Sequence, residues 1–321
     1  MHYLSEHFSS LFRDFGQLTT TGLAQGAIYA LFALGYTLVY GVLRLINFAH
    51  SEVFMVGTFG AVLTWSALGL DQNSHINGVG SVVLYLLVGL LAAVIASGGT
   101  AIVVELTAYR PLRRKNAPPL VFLITAIGAS TVLSELVGVL SDRSVRSSPI
   151  FVQPHELIRV GNTSLTNVQL ILIVTALVMM VALDLFINRT RLGRGVRAVA
   201  QNPDSAALMG VNKNRVISLI FLIGGLMAGV AAVMYMMKIG TTRYDSGFYL
   251  GIKAFTAAVL GGIGNLRGAL LGGLLLGLVE NYGSGFFGSQ WHDAVAFAAL
   301  VLILLFRPTG LLGESLGRAR A

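Results

Sequence analysis

Apolar residues run in long stretches at about 22–43, 53–70, 82–104, 119–140, 168–187, 216–237, 252–282 and 294–306, separated by short polar segments. A hydrocarbon core about 30 Å thick takes roughly 20 apolar residues per helical crossing. Each stretch is therefore predicted to be a membrane helix, since an open strand would leave its backbone groups unpaired in lipid. Helices with apolar neighbours on every side are apolar all round, so periodicity adds little. The run 252–282 is too long for one comfortable crossing and is interrupted by Gly261, Gly262, Gly264, Asn265, Arg267 and Gly268, which predicts a turn near Asn265 to Arg267. The expected fold is all-α: a polytopic membrane helix bundle of about 8–9 transmembrane passages, one or two of them short or broken, in a single domain over 1–321.

Composition agrees. Of 321 residues, 55% are hydrophobic and 11% charged, with a mean hydropathy of +0.77; a soluble globule carries about a quarter charged residues. The net charge of +8 therefore reads as membrane topology rather than nucleic-acid binding. Basic loops face the cytoplasm. One loop near 105–118 holds Arg110, Arg113, Arg114 and Lys115, and another at 188–215 holds Arg189, Arg191, Arg194, Arg197, Lys213 and Arg215. Placing both inside puts the amino terminus outside. The tail 307–321, with Arg307, Arg318 and Arg320, also belongs inside, which requires an odd number of passages and so the break in 252–282. Residues 1–20 mix charged and bulky apolar side chains and are expected to lie as an amphipathic segment on the membrane surface. There is no cysteine, which excludes disulfides and thiolate chemistry.

The 38 glycines concentrate inside the apolar runs. Gly264, Gly268 and Gly272 are spaced by four, as are Gly273 and Gly277, and Gly225 and Gly229. Small residues at that spacing let helix backbones meet closely, either within the subunit or at an interface.

The basic loop 188–215 contains a segment with complete helix-end signals. Asn202 can cap, Pro203 sits in the first turn, Asp204 faces the positive dipole end, and Gly210 can close the far end. Ala206, Ala207, Leu208 and Met209 lie between. Such a helix can carry motion from a bound cytosolic partner to the membrane helices, or lie as an ordinary interfacial helix.

Polar groups inside apolar runs are costly and mark function or buried pairs. Asn47, His50, Ser51 and Glu52 form the densest cluster, readable as a broken-helix element on a solute path or as a solvated turn. Glu135, Asp184 and Lys253 stand alone and read as interfacial or paired structural charges. The glycine break at Gly261, Gly262 and Gly264 is a second solute-path candidate, because interrupted helices border transporter sites. The two breaks together suggest two related halves. No phosphate loop, His-Glu-x-x-His or serine-protease motif occurs, so neither a catalytic nor a metal site is expected and the chain is not expected to be an enzyme.

Five segments carry a family likeness: Gly41-Val-Leu-Arg-Leu-Ile-Asn-Phe-Ala-His-Ser-Glu52, Ala108-Tyr-Arg-Pro-Leu-Arg113, Gly193-Arg194 through Gly210-Val-Asn212, Lys253-Ala-Phe-Thr-Ala-Ala-Val-Leu-Gly-Gly-Ile-Gly264, and Pro308-Thr-Gly-Leu-Leu-Gly313. Together, in this order, they resemble the LivH-type permease subunit of bacterial branched-chain amino-acid ABC importers, over about 20–313. The resemblance implies a bacterial plasma (inner) membrane location and import of branched-chain or similar small amino acids. It also implies that residues 203–210 belong to a coupling helix. The implied partners are a LivM-like second permease, two cytosolic ABC ATPase subunits carrying ATP and Mg, and an extracytoplasmic solute-binding protein; this chain itself would bind no cofactor. Other amino acids, amides or urea are alternative solutes, and an ion-gradient-driven transporter or facilitator is the alternative mechanism. Two positions depart from the family pattern: Ser51, usually Gly, and Arg267, often Pro.

Overall fold

The computed structural model describes residues 14–72, 74, 76, 78–307 and 309–313. Most of the expected amino-terminal surface segment, and the tail cations Arg318 and Arg320, lie outside the described residues. Helices dominate: α1 Phe15–Leu43, α2 His50–Ala67, α3 Val79–Val104, α4 Arg110–Arg114, α5 Pro119–Leu140, α6 Asn167–Arg189, α7 Arg191–Gln201, α8 Pro203–Leu208, α9 Lys213–Ile239, α10 Ser246–Gly261, α11 Leu266–Phe287 and α12 His292–Phe306.

Six helical spans among the described residues are long and apolar enough to cross a membrane, and α10 with α11, bent by 119°, makes a broken seventh. The 18-residue α2 is diluted by His50, Ser51 and Glu52 at its start. The polytopic helical bundle with short and broken members is thus the observed fold.

Three expected boundaries move. The basic loop at 105–118 is helical as far as Arg114, because a π turn at Glu105–Tyr109 joins α3 to α4. The loop 188–215 is mostly two helices, α7 and α8. The long apolar run begins as helix at Ser246, breaks at 262–265 rather than at 265–267, and resumes with Asn265 as cap and Arg267 in the first turn. Gly264 consequently lies in the turn, with φ +99, where an L side chain would be strained.

A hairpin not anticipated from the sequence pairs β2 Glu156–Val160 with β3 Thr163–Thr166. A second short antiparallel pair joins β1 Arg146–Ser147 to β4 Thr241–Thr242.

The described chain divides into two compact units. In the larger, residues 34–153 and 181–252, α2, α3 and α9 form the central packing. A Cβ at Gly225 would meet Ser97 O and Ala101, and one at Gly229 would meet the Ala93–Val94 backbone. The paired glycines therefore serve packing within the chain, bringing α9 and α3 into backbone contact. Ser97 Oγ donates to Val53 O at 3.0 Å, and Trp65 Nε1 donates to Tyr85 O at 2.8 Å, so α2 is also tied to α3 by hydrogen bonds.

In the other unit, residues 14–33, 154–180 and 253–313, Gly22 and Gly26 of α1 meet Gly277 and Gly273 of α11 face to face. Two four-residue glycine spacings interlock there. Gln17 Oε1 accepts from the Ser164 backbone N–H at 2.9 Å, which fastens the hairpin to α1.

Candidate translocation site

Helix α1 ends at Leu43, and Arg44 takes a left-handed φ of +53, which turns the chain out of the helix. Residues 44–49 are irregular before α2 begins at His50. His50 lies beside Gly224, which stands about 16 Å along α9 from Lys213 at 1.5 Å per residue. This is near the middle of the helix rather than at its end. Asn47, His50, Ser51 and Glu52 are 4%, 2%, 4% and 1% exposed, which replaces the picture of a solvated turn with a buried polar element.

The four residues do different things. Asn47 Oδ1 accepts from Tyr109 Oη at 3.0 Å, and the His50 ring packs edge-on against Tyr36 with centroids 4.8 Å apart. Both brace the break. Ser51 and Glu52 instead line a cavity of about 590 Å³ whose other walls include Ile127 and Ser130 of α5, Tyr244, and Phe248 and Ile252 of α10. That volume falls within the usual range for small-molecule pockets, about 300–1,000 Å³. Ser51 Oγ lies 2.6 Å from Phe48 O and 3.3 Å from Glu52 Oε1, so its one proton goes to the nearer carbonyl. Ser130 Oγ donates to Glu52 Oε1 at 3.2 Å. Glu52 Oε2 has no protein partner among the described residues.

The wall from α5 and α10 was invisible in the sequence: no local pattern brings Ser130 and Gly251 to Ser51. Gly251 packs directly on Ser51, which explains how a serine is accommodated at this position. Glu135 sits at the cavity edge, 52% exposed and paired with Arg143 at 2.6 Å.

Gly261, Gly262 and Gly264 are engaged elsewhere, in the unit that contains residues 253–313. The carbonyls of Leu260 and Gly261, left over at the end of α10, accept from the N–H groups of Leu311 and Leu312 at 2.8 and 3.0 Å. Asn265 Nδ2 adds a bond to Leu312 O at 2.9 Å. The Pro308–Gly313 motif thus clamps the break through Leu311 and Leu312; Pro308 itself lies outside the described residues.

In the same unit Lys253 is paired. Its Nζ is 2.5 Å from Glu280 Oε1 and 2.6 Å from Asp293 Oδ1, while His292 Nδ1 is 2.7 Å from Glu280 Oε1. Tyr29 Oη donates to Glu280 Oε2 at 2.5 Å. Glu280, His292 and Asp293 converge as metal ligands would, but the ammonium of Lys253 holds the central position.

A third buried charge was also missed. Glu105 is fully buried and accepts from Arg110, Arg113 and Ser218. The i→i+5 geometry of the π turn brings Glu105 and Arg110 to one face, a juxtaposition that regular helix spacing does not suggest.

Helix α8 matches its expected caps. Asn202 Oδ1 accepts from the N–H groups of Asp204 and Ser205 at 3.0 and 2.9 Å, and Gly210 turns away with φ +85. Pro203 occupies the first turn, Ala206 is buried, Ala207 is exposed, and Leu208 and Met209 are 89% and 85% exposed. Asp204 pairs with Lys213 at 3.2 Å.

Residues 18–304 match the family described as the branched-chain amino acid transport system, permease component. The chain is 43% identical over 303 residues to the high-affinity branched-chain amino acid transport system permease protein BraD of Pseudomonas aeruginosa, covering 93% of this chain and 95% of that one. It is 39% identical over 309 residues to the corresponding LivH of Escherichia coli, covering 95% and 98%, and 38% identical over equal spans to LivH of Salmonella typhimurium. With its long apolar helices, and by a match that spans nearly its whole length, the chain belongs to the family of permease components of branched-chain amino acid transport systems.

Proposed function

We propose that this chain is the LivH-type subunit of an ABC importer in the bacterial inner membrane. It moves branched-chain or similar small amino acids inward while separate subunits hydrolyse ATP. The observation that carries the energy source is α8. A short, doubly capped helix, fixed between α7 and α9, presents Leu208 and Met209 to solvent. Two bulky apolar side chains at such exposure on a basic loop are suited to a groove on a cytosolic partner. Asn202 and Gly210 make the element short and stiff, so displacement of the partner is passed to α9 rather than absorbed.

In this arrangement the amino terminus faces outside and the loop 188–215 faces the cytoplasm. A solute-binding protein delivers from outside, a LivM-like second permease completes the pathway, and Mg-ATP binds only to the two ATPase subunits. The cavity beside Ser51 and Glu52 is the stretch of pathway that this chain contributes; Asn47 and His50 hold its irregular backbone in place. Solute choice is made largely by the binding protein, and the permease accepts what it is handed.

The experiment is uptake of radiolabelled leucine into proteoliposomes containing the whole importer, with binding protein supplied outside and ATP enclosed. Uptake is expected to require enclosed ATP and to persist when proton and sodium gradients are collapsed. Leu208→Asp with Met209→Asp is expected to abolish ATP-driven uptake and to release the ATPases from the membrane, while the permease stays folded, since both side chains are exposed. Uptake driven by an ion gradient without ATP, or full coupling in the double variant, would overturn the proposal.

A further inference from the structure

We infer that the Glu52 cavity is an ammonium site: it grips the amino group of the passing solute and leaves the carboxylate ungripped. The inference rests on the permease reading above and names the chemistry of its solute site.

Among the described residues, the cavity is lined by three carboxylate residues, Glu52, Glu135 and Asp245, and by no lysine or arginine. Two of these acids are already matched by guanidinium groups from outside the lining: Arg143 reaches Glu135 at 2.6 Å and Arg243 reaches Asp245 at 2.7 Å. Glu52 has no such cation. Its Oε1 accepts from Ser130, and its Oε2 is buried with no protein partner among the described residues. A carboxylate in apolar surroundings with one oxygen unmatched is strongly unfavourable, and a polar atom left in that state marks a place where a ligand group completes the bonding.

The surroundings define that group. A hydrogen-bond donor completes the free oxygen, and a cationic donor does so best, because it also offsets the buried negative charge. A metal ion is a poor fit, because the nearby oxygens are the hydroxyls of Ser51 and Ser130 rather than further free carboxylates. A primary ammonium suits the position, with three donors for Glu52 and neighbouring oxygens.

Space around the carboxylate is kept by α10. A Cβ on Gly247 would stand 2.9 Å from Glu52 Oε2, so the absence of a side chain there leaves that oxygen approachable. Beyond the carboxylate, Phe48, Ile127, Phe248 and Ile252 give the apolar wall that a branched aliphatic side chain would contact. Among the described residues, the guanidinium groups beside the cavity, Arg143 and Arg243, are already engaged by Glu135 and Asp245 rather than held open for a solute carboxylate. The site therefore distinguishes an amine from an acid of the same shape, and tolerates replacement of the carboxylate.

The absence of cysteine from this chain makes a direct test practicable. Thr131 lines the cavity, and its hydroxyl is bonded only locally, to Ile127 O. The Thr131→Cys variant is assembled into the complete importer with cysteine-free partners, and labelling by a small maleimide is followed without binding protein. Leucine, leucinamide and 3-methylbutylamine are expected to protect the thiol, and 4-methylpentanoate is not. Adding Glu52→Gln is expected to weaken protection by the amines about 10- to 100-fold, the range for a lost hydrogen bond to a charged group; Glu52→Asp, which keeps the charge, should restore part of it.

Protection by the acid equal to that by the amine, or protection unchanged by Glu52→Gln, would overturn the inference. ATP-driven leucine uptake by the same preparation is measured in parallel. Uptake with indifferent protection refutes the ammonium site alone, whereas loss of ATP-driven uptake in the otherwise unaltered importer refutes the permease mechanism itself.

Discussion

Replacing Lys253 by Met removes the only lysine from a buried cluster and leaves Glu280, fully buried, with Tyr29 and His292 as its remaining partners. Breaking a buried ion pair by deleting one member costs about 3–5 kcal/mol, because the other charge stays desolvated. His292, 2.7 Å away, can share the load, which puts Lys253→Met near the lower figure, about 3 kcal/mol. The second acid, Asp293, is 63% exposed and adds little. Glu280→Gln leaves Lys253 beside Asp293 and is expected to cost about 1–2 kcal/mol. If the two sites were independent, the double variant would lose about 4–5 kcal/mol; if they are one pair, it loses about 1–2, since no unmatched charge remains. The cycle should therefore show a coupling near 3 kcal/mol, on the order of a hundredfold in the opening equilibrium. Ala296 on α12 is fully buried, so Ala296→Cys in the four versions of the otherwise cysteine-free chain reports local opening through maleimide labelling in the intact assembly. Additive effects of the two substitutions would refute the pairing as the source of stability.

Two further outcomes follow from particular contacts. Asn202→Ala removes both first-turn bonds of α8 and should cost about 1 kcal/mol of local helix stability; ATP-driven uptake should fall while the ATPases remain attached, and restoration by Asn202→Ser would identify capping as the cause. A Cβ at Gly26 would stand 2.6 Å from Gly273 O and 2.7 Å from Leu274 Cα, so Gly26→Val should separate α1 from α11 and lower the heat tolerance of the purified assembly by many degrees, whereas Gly80→Val, in open space, should not.

What could be read from the sequence depended on whether the signal was local. The caps of α8 needed only the order Asn202, Pro203, Asp204 and Gly210, and each occupies its expected place. The break after Gly261 was visible because a run that long must bend and glycines with Asn265 permit it. The clamp over the break was not visible, because it depends on backbone atoms of Leu311 and Leu312 meeting a helix end some fifty positions earlier. The hairpin at 156–166 did leave a trace in Gly161-Asn162 between two strand-like runs, overshadowed by the apolar helices on either side. Gly22 and Gly26 carry the same spacing as Gly273 and Gly277, but spacing alone does not say which helix each pair meets.

The polar atoms buried among these helices separate by what meets them. At Glu105 three donors surround one carboxylate, and at Glu280 an ammonium, an imidazole and a phenol do so. Such groups are stable because the low dielectric that penalises an isolated charge also strengthens every bond made to it. The carbonyls of Leu260 and Gly261 at the end of α10 are satisfied in the same way, by the N–H groups of Leu311 and Leu312. Glu52 departs from this pattern although its helix has hydroxyl and aromatic neighbours within reach, and although a second serine or a lysine on α5 or α10 would complete it. Two glycines stand on α10 facing Ser51 and Glu52 instead. An unmatched carboxylate oxygen beside two glycines, at the wall of a cavity, sets Glu52 apart from Glu105 and Glu280, and the proposed solute site rests on that difference rather than on the helix breaks.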